Sequence, residues 1–304
     1  MKKAVVIGAG QTGRGYVTRF LFQRDYAITF IDKNEKLIRI LDEDRAFCIH
    51  FYKKDRTPIY VNGFQAFHTY SKEADRAIQD ADFIVTSTGE QNLGDVAQQV
   101  KAGMRNKQKK TVFLTAENGI NPAKVLRTHL QEAGVEGDYT VTQTAVFCST
   151  VSVHDTRLDI LSMNEAYFPF DADELEELDF EGAVPIHNFE KFFKRKIYTY
   201  NCLAGLISYC GYIKGYEVYG DAACDPDIDA VMMRLMEELN PAGQLASQLF
   251  CASMVVIASQ LDTVPQAMAA ETREEEFISR ILDYLNEHFT EELNPVSYTH
   301  LTLP

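Results

Sequence analysis

A glycine-rich turn near the amino terminus has the spacing of a site for a dinucleotide phosphate. Gly8, Gly10 and Gly13 follow the β-branched run 3–7 and precede an apolar pattern with helical spacing. The first glycine of such a turn permits the bend, the second lets the backbone approach a pyrophosphate, and the third lets the helix pack on the strand. The start of the helix offers amide hydrogens and partial positive charge to the phosphates. The pattern predicts a dinucleotide-binding βαβ unit.

A carboxylate stands where such a unit places its ribose ligand. Asp32 ends a second apolar strand, predicted over 27–31, about 20 residues past the glycines. An acidic residue there accepts hydrogen bonds from the ribose hydroxyls and repels a 2′-phosphate, so NAD is favoured over NADP. Lys33 follows directly, and its positive charge weakens that preference.

Strand and helix patterns then alternate, which is typical of an α/β fold with a parallel sheet. Strands are predicted over 82–87 and 111–115, and helices over 72–79 and 93–104. Ligands of such sheets bind at the carboxyl ends of the strands. Thr86, Gly89 and Asn118 would lie at these ends. For Asn118 a purely structural role is an alternative, because Asn-Gly is also a common turn. The residues predicted to bind the cofactor are Gly8, Gly10, Gln11, Thr12, Gly13, Asp32, Thr86, Gly89 and Asn118.

The remaining pattern predicts two domains. Strand-like pieces at 48–52 and 58–61 predict an antiparallel hairpin inserted at about 48–70. From Phe189 onward the periodicity is helical. We therefore expect a Rossmann-type doubly wound parallel sheet over 1–187, followed by a mainly α-helical second domain over 188–295. Further strands are predicted over 139–146 and 158–163, and further helices over 189–210, 228–239, 243–260 and 273–288.

The last nine residues, 296–304, are similar to the read-through translation of a sequencing adapter. A segment of this origin carries no information about the fold of the natural protein. We expect the natural sequence to continue beyond Pro295, and His300 is not a catalytic candidate.

Composition limits the classes of partner. The formal net charge of −14 argues against nucleic acid, and no apolar run reaches the ~20 residues of a membrane span. The six cysteines form no C-x-x-C pair, and no secretory signal opens the chain, so we expect reduced thiols in the cytoplasm. We expect a small-molecule partner and a monomer or small homo-oligomer.

A segment in the second half carries a more specific signal. Lys196 is followed five residues later by Asn201, and then by a segment with aromatic and aliphatic residues that ends at Gly215. By residue type alone, Lys196 belongs to an exposed basic cluster with Lys191, Lys194 and Arg195. Taken with the glycine opening and Glu117-Asn118, however, the segment resembles the signature of the long-chain polyol (mannitol) dehydrogenases, closest to their mannitol-1-phosphate branch.

The resemblance implies a metal-independent, NAD-dependent interconversion of a sugar alcohol, or its phosphate, and the ketose. It implies that Lys196 is the general base and that Asn201 hydrogen-bonds the reacting oxygen. An ammonium desolvated in a cleft loses its proton near neutral pH, which suits that role. We expect no metal site, because the cysteines and histidines lack zinc-ligand spacing.

Two departures from the family pattern leave alternatives open. Ala204 stands where the family has a histidine, and Phe147-Cys148 stands where it usually has an Asp-Arg pair. A dehydrogenase of another hydroxy compound is compatible with both departures. So is a catalytically weak NAD-binding paralogue.

Overall fold

The computed structural model describes residues 1–52, 56–105, 107–119, 121–163, 166–197, 201–217 and 219–238. The chain divides into two compact units, Met1–Lys196 and Ile197–Pro304. The helices predicted over 243–260 and 273–288 and the tail 296–304 lie outside the described residues.

The first unit is built on a six-stranded parallel sheet in the order β5-β2-β1-β6-β7-β8. This order confirms the predicted Rossmann-type doubly wound fold. Strand β1 pairs with β2 on one side and β6 on the other, so the connections reverse direction there and a crevice opens at the carboxyl ends. The strands are β1 (Lys3–Ile7), β2 (Ala27–Asp32), β5 (Gln65–His68), β6 (Phe83–Thr86), β7 (Thr111–Thr115) and β8 (Tyr139–Gln143).

Apolar cores cover both faces of this sheet. Along β1 the side chains alternate: Ala4 and Val6 join one buried cluster, whereas Val5 and Ile7 join the other. A strand buried on both faces reads as a continuous apolar run, which is why the sequence predicts β1 and β7 with their observed bounds.

Helices flank the sheet, and side-chain caps start three of them. Asn34, Ser71 and Asn121 each accept a hydrogen bond from the backbone amide three residues on. Before α1, the helix beginning at Gln11 has a π-helical turn at Gly13–Val17. The helices of this unit are α1 (Thr18–Phe22), α2 (Glu35–Asp44), α3 (Lys72–Asp80), α4 (Leu93–Met104), α5 (Pro122–Glu132) and α6 (Phe189–Lys196), with a 3₁₀ turn at Glu90–Asn92.

A smaller four-stranded sheet, in the order β4-β3-β10-β9, packs beside the glycine turn. Its strands are β3 (Ala46–Phe51), β4 (Ile59–Asn62), β9 (Thr150–Ser152) and β10 (Ile160–Ser162). Strands β3 and β4 are an antiparallel pair at the place where the sequence predicts a hairpin. Strand β5, although it lies within 48–70, pairs in parallel with β2 and belongs to the main sheet.

A third, two-stranded sheet consists of β11 (Phe168–Asp171) and β12 (Ala183–Ile186). The sequence does not predict it, because Pro169 and Pro185 interrupt the two runs. Strand β8 ends at Gln143, whereas the predicted strand continues to 146; Thr144 instead makes an isolated bridge to Phe170.

The described part of the second unit is helical, with α7 (Cys202–Ile213), α8 (Tyr219–Ala223) and α9 (Pro226–Glu238). A small buried cluster that includes Leu206, Cys210 and Ile228 joins them. Within the range predicted as one helix, 189–210, the structure gives α6 and α7, and residues 198–200 lie outside the description. None of the described helices combines the length and the apolar character that a membrane crossing requires.

Candidate active site

The glycine turn joins β1 to the first helix in the conformation that its glycines permit. Gly8 has φ +97°, and a side chain there would overlap the carbonyl of Ser87. A side chain at Gly13 would overlap the carbonyl of Gly8, whereas one at Gly10 would project into open space. Gly8 and Gly13 therefore shape the turn, and Gly10 leaves its outer side clear. Thr12 precedes the π-helical turn, and Gln11 Nε2 donates to Ser152 Oγ at 3.0 Å.

Asp32, at the end of β2, is held beside this turn. Its Oδ2 accepts a hydrogen bond from the amide of Ala9 at 2.7 Å, and its Oδ1 accepts one from the amide of Asn34 at 2.9 Å. Each carboxylate oxygen has a second lone-pair direction left. Arg14 is buried and donates to the carbonyl of Ala9; burial lowers the pKa of its guanidinium to about 10, although the charge of Asp32 opposes this.

A buried glutamate ties the ends of β6 and β7 together. Glu117 is only 3% exposed, and its two oxygens accept hydrogen bonds from the amides of Thr88 (2.9 Å) and Gly89 (2.8 Å). Burial raises the pKa of Glu117, while these bonds oppose the rise. Gly89 has φ +88°, a conformation that favours glycine. Thr86, the last residue of β6, is fully buried at the same edge.

A second carboxylate lies against this loop. The side chain of Glu90 fills the space that a side chain at Gly119 would need. Burial and the neighbouring Glu117 both raise the pKa of Glu90. The sequence predicts no structural role for Glu90 or Glu117. The two carboxylates belong to loops that lie 27 residues apart in the chain, so their proximity is not visible in the local pattern.

Lys196 reaches the same edge from α6. Its side chain lies on the buried side of the helix together with Phe189 and Phe193, at the i, i+4 and i+7 spacing of one helical face. Lys191 and Arg195 are exposed, and Lys194 pairs with Glu190. The alternative that Lys196 is one more exposed lysine of a basic cluster is therefore wrong.

Among the described residues, the ammonium of Lys196 has one polar side-chain partner and two aromatic neighbours. Its Nζ donates to Asn118 Oδ1 at 2.9 Å and lies 5.7 Å from the ring centres of both Phe147 and Phe193. The residue is 4% exposed, and this burial lowers the pKa of Lys196 to about 8. A lysine in this state is neutral in a substantial fraction of molecules near physiological pH.

The amino-terminal half of the chain matches a known family. Residues 2–161 match the Rossmann domain of the mannitol dehydrogenases. The chain belongs to the mannitol dehydrogenase family. This confirms the resemblance that the Lys196 segment, the glycine opening and Glu117-Asn118 carry. A dehydrogenase family with a Rossmann domain implies a nicotinamide dinucleotide as cofactor.

Curated relatives extend the similarity beyond the Rossmann domain. The chain is 26% identical over 258 residues to mannitol-1-phosphate 5-dehydrogenase of Thermoanaerobacter pseudethanolicus, covering 80% of this chain and 66% of that one. It is 27% identical to the protein of the same name from Paenarthrobacter aurescens, covering 78% and 65%. The chain thus spans about two thirds of the length of these relatives.

Among solved structures, the UDP-glucose dehydrogenase of Pyrobaculum islandicum superposes with a TM-score of 0.48 at 14% identity, covering 70% of this chain and 52% of that one.

Of the two predicted catalytic residues in this member of the mannitol dehydrogenase family, Lys196 lies in the first unit and Asn201 in the second. Asn201 is exposed at the N-cap of α7, and Ala204 follows in the first turn of that helix. The predicted roles, Lys196 as general base and Asn201 as hydrogen-bond donor to the reacting oxygen, stay predictions. Asn118, predicted only to bind the cofactor, is the residue that contacts Lys196 in the described structure.

Proposed function

We propose that this chain is a nicotinamide-dependent oxidoreductase that interconverts a sugar alcohol, or its phosphate, and the corresponding ketose. The observation that carries the proposal is the contact between Lys196 and Asn118. It combines a buried lysine with a lowered pKa and an amide that holds it. It also lies beyond the carboxyl end of β7, at the edge where this class of sheet binds its ligands.

Lys196 is suited to move the hydroxyl proton. In alcohol oxidation its neutral Nζ accepts the proton of the reacting hydroxyl, and in ketose reduction its ammonium returns it. A pKa of about 8 keeps both forms populated near neutral pH, the condition under which a general acid–base group is most effective. The nearby rings of Phe147 and Phe193 restrict water and keep the ammonium poorly solvated.

Asn118 orients the lysine and is placed to stabilise charge. Because its Oδ1 accepts from Lys196, the amide hydrogens of the same side chain are directed away from the lysine. These donors can stabilise negative charge that develops on the substrate oxygen. The family resemblance gives Asn201 the same task, and we retain it as a second donor.

The residues of the glycine turn fit NAD, which supplies the hydride acceptor or donor when it is bound. Gly10 leaves open space beside the helix start, where backbone amides bind a pyrophosphate. Asp32 keeps lone pairs for the ribose hydroxyls beyond its two backbone bonds. Its carboxylate favours NAD over NADP. Lys33 Nζ lies 3.5 Å from Asn92 Oδ1, so its charge is directed toward the 3₁₀ turn that precedes α4.

The first substrate to test follows from the relatives, which are named mannitol-1-phosphate 5-dehydrogenases. The test is NADH oxidation by the 304-residue protein with fructose 6-phosphate and with fructose, with bound NADH measured separately by fluorescence. Turnover of either ketose, faster with NADH than with NADPH, supports the proposal. Bound NADH with no turnover of either ketose would contradict the proposed polyol chemistry, whereas the proposal of a nicotinamide-binding site would still hold.

A second candidate is a catalytically weak NAD-binding paralogue. Ala204 favours it, because this alanine stands where the family has a histidine that can donate a hydrogen bond. Measurable hydride transfer that Lys196→Ala abolishes would exclude it. Phe147, which packs against Lys196, favours a third candidate, a dehydrogenase of another hydroxy compound. A panel of hydroxy acids and sugar alcohols assayed with NAD would separate that candidate from a polyol dehydrogenase.

A further inference from the structure

The outer face of the small sheet carries a group of side chains that the proposed reaction does not use. Along β3, Phe47, Ile49 and Phe51 point into the core. Side chains alternate along a strand, so Cys48 and His50 project together from the opposite face. Both are partly exposed.

Asp159 completes the group from the neighbouring strand. It immediately precedes β10, whose first residue, Ile160, lies opposite Ile49 of β3. Its Oδ1 accepts a hydrogen bond from the amide of Cys48 at 2.8 Å, and its Oδ2 lies 3.3 Å from His50 Nε2. The carboxylate is therefore fixed between the two β3 side chains by contacts to both residues.

The three side chains offer different donor atoms in a small volume. One ligand atom from each of Cys48, His50 and Asp159 lies within 4.8 Å of the other two. Among the described residues, no hydrogen-bond partner of the Cys48 sulfur is found. A sulfur, an imidazole nitrogen and a carboxylate oxygen are ligands of Zn²⁺ and similar cations, whereas Mg²⁺ and Ca²⁺ select oxygen. Ligands of one tetrahedral ion lie about 3–4 Å apart, given metal–ligand distances of ~2.0–2.3 Å.

We propose that Cys48, His50 and Asp159 form a binding site for a zinc-class divalent cation, with water as the fourth ligand. Such an ion would connect β3 to β10, two strands that are more than 100 residues apart in the chain. The site lies on the opposite face of the small sheet from the contact with the glycine turn, since Ser152, which accepts from Gln11, pairs with the inward-facing Ile160. This cation is thus separate from the proposed hydride-transfer chemistry.

The sequence predicts no metal site, because only Cys48 and His50 are neighbours in the chain. Two ligands at i and i+2 do not distinguish a metal site from an ordinary strand. The third ligand becomes apparent only when the parallel pairing of β10 with β3 is known.

The test is titration of the reduced, metal-free 304-residue protein with Co²⁺, followed by the thiolate-to-cobalt charge-transfer absorption. We expect saturation at one equivalent and displacement by Zn²⁺. Cys48→Ser should abolish the band, and His50→Gln, which preserves a polar contact to Asp159, should weaken Co²⁺ binding by about tenfold or more. Both side chains are partly exposed on the outer face, so these variants keep the core intact.

Cys148→Ser is the matched control, because Cys148 is also a partly exposed free thiol but contacts Ser162 instead. It should leave the band and the affinity unchanged. No charge-transfer band in the wild type, an undiminished band in Cys48→Ser, or equal losses in both serine variants would overturn the proposal and leave the three residues as a hydrogen-bonded group. No cofactor or substrate is needed, so failure here is distinguishable from failure of the proposed oxidoreductase.

Discussion

Two lysines of the described residues are buried at opposite ends of the strands of the parallel sheet, and we propose a catalytic role for only one of them. Lys107 lies 7% exposed near the amino ends of β6 and β7, and Lys196 lies 4% exposed beyond their carboxyl ends. Burial lowers the pKa of each to about 8; the nearby Lys109 adds to the effect at Lys107, while Asp82 and Asp80 oppose it.

The difference is in what each ammonium contacts. Lys107 Nζ donates to the carbonyls of Ile78 (2.7 Å) and Ala81 (2.6 Å), which end α3. Within the described residues, Lys196 Nζ donates to the side-chain amide of Asn118 and lies near two aromatic rings. A lowered pKa is therefore insufficient evidence for catalysis. Lys107 stabilises the end of α3. Lys196 lies beyond the carboxyl ends of the strands, where sheets of this kind bind their ligands, and its ammonium keeps hydrogen-bond donors for such a ligand.

Replacing Lys196 by methionine should have the largest effect. Methionine preserves much of the apolar stem but cannot accept a proton, so kcat should fall by roughly 10²–10⁴-fold, while NADH affinity stays nearly unchanged. Steady-state kinetics and NADH fluorescence titration measure the two quantities. Lys107→Met is the control, and a similar loss of kcat in that folded variant would contradict a catalytic role that is specific to Lys196.

Asn118→Asp should change the charge beside the ammonium of Lys196. A carboxylate at hydrogen-bond distance from Nζ favours the charged lysine, so the pKa of Lys196 should rise by ~1–3 units. The pH–rate profile for alcohol oxidation would move to higher pH by that amount. Asn118→Ala, which adds no charge, should lower the rate but leave the midpoint close to that of the wild type. Equal shifts in both variants would show that Asn118 does not act on Lys196 electrostatically.

Lys107→Met should act on stability alone. The change leaves two buried carbonyls without their donor, at a cost of about 1–3 kcal/mol in the free energy of unfolding. Urea unfolding measures this cost, and kcat per folded molecule should stay within about twofold of the wild type. An unchanged unfolding free energy would mean that the ammonium does not hold the end of α3.

The smallest effect concerns pH and stability, and here both lysines behave alike. Their ordinary pKa is 10.5, and their folded pKa is about 8. Between these values the unfolded chain holds a proton that the folded protein has released, so raising the pH favours the folded state. From about pH 8 to 9.5, wild type should gain about 1–2 kcal/mol relative to either methionine variant. Urea unfolding at both pH values checks this, and a relative loss for wild type would contradict the direction.

The sequence predicts local features of the fold better than contacts between distant segments. Features encoded by neighbouring residues are recovered: the glycine turn, Asp32 at the end of β2, and strand β7 with its observed bounds. Helices α2 and α5 are missed, although Asn34 and the Asn121-Pro122 pair are recognisable caps at their starts.

Contacts between distant segments are not predictable from local pattern. Lys196 and Asn118 are 78 residues apart. The spacing of Phe189, Phe193 and Lys196 could have placed Lys196 on the apolar face of α6, but it does not indicate that Asn118 is the partner of the lysine. The resemblance to a family implies the role that we propose for Lys196, and the packing of α6 buries its side chain. Glu117 is similar: its neighbours indicate a strand end, but its bonds to Thr88 and Gly89 depend on the pairing of β6 with β7.

The proposal that Lys196 is the general base is tested by the pH dependence of kcat/KM for polyol oxidation from about pH 6.5 to 9.5. If Lys196 is the base, kcat/KM should rise with the loss of one proton and level off above a midpoint near pH 8. Lys107→Met should retain this profile, and the residual activity of Lys196→Met should lack it. A flat wild-type profile, or the same midpoint in Lys196→Met, would contradict the assignment.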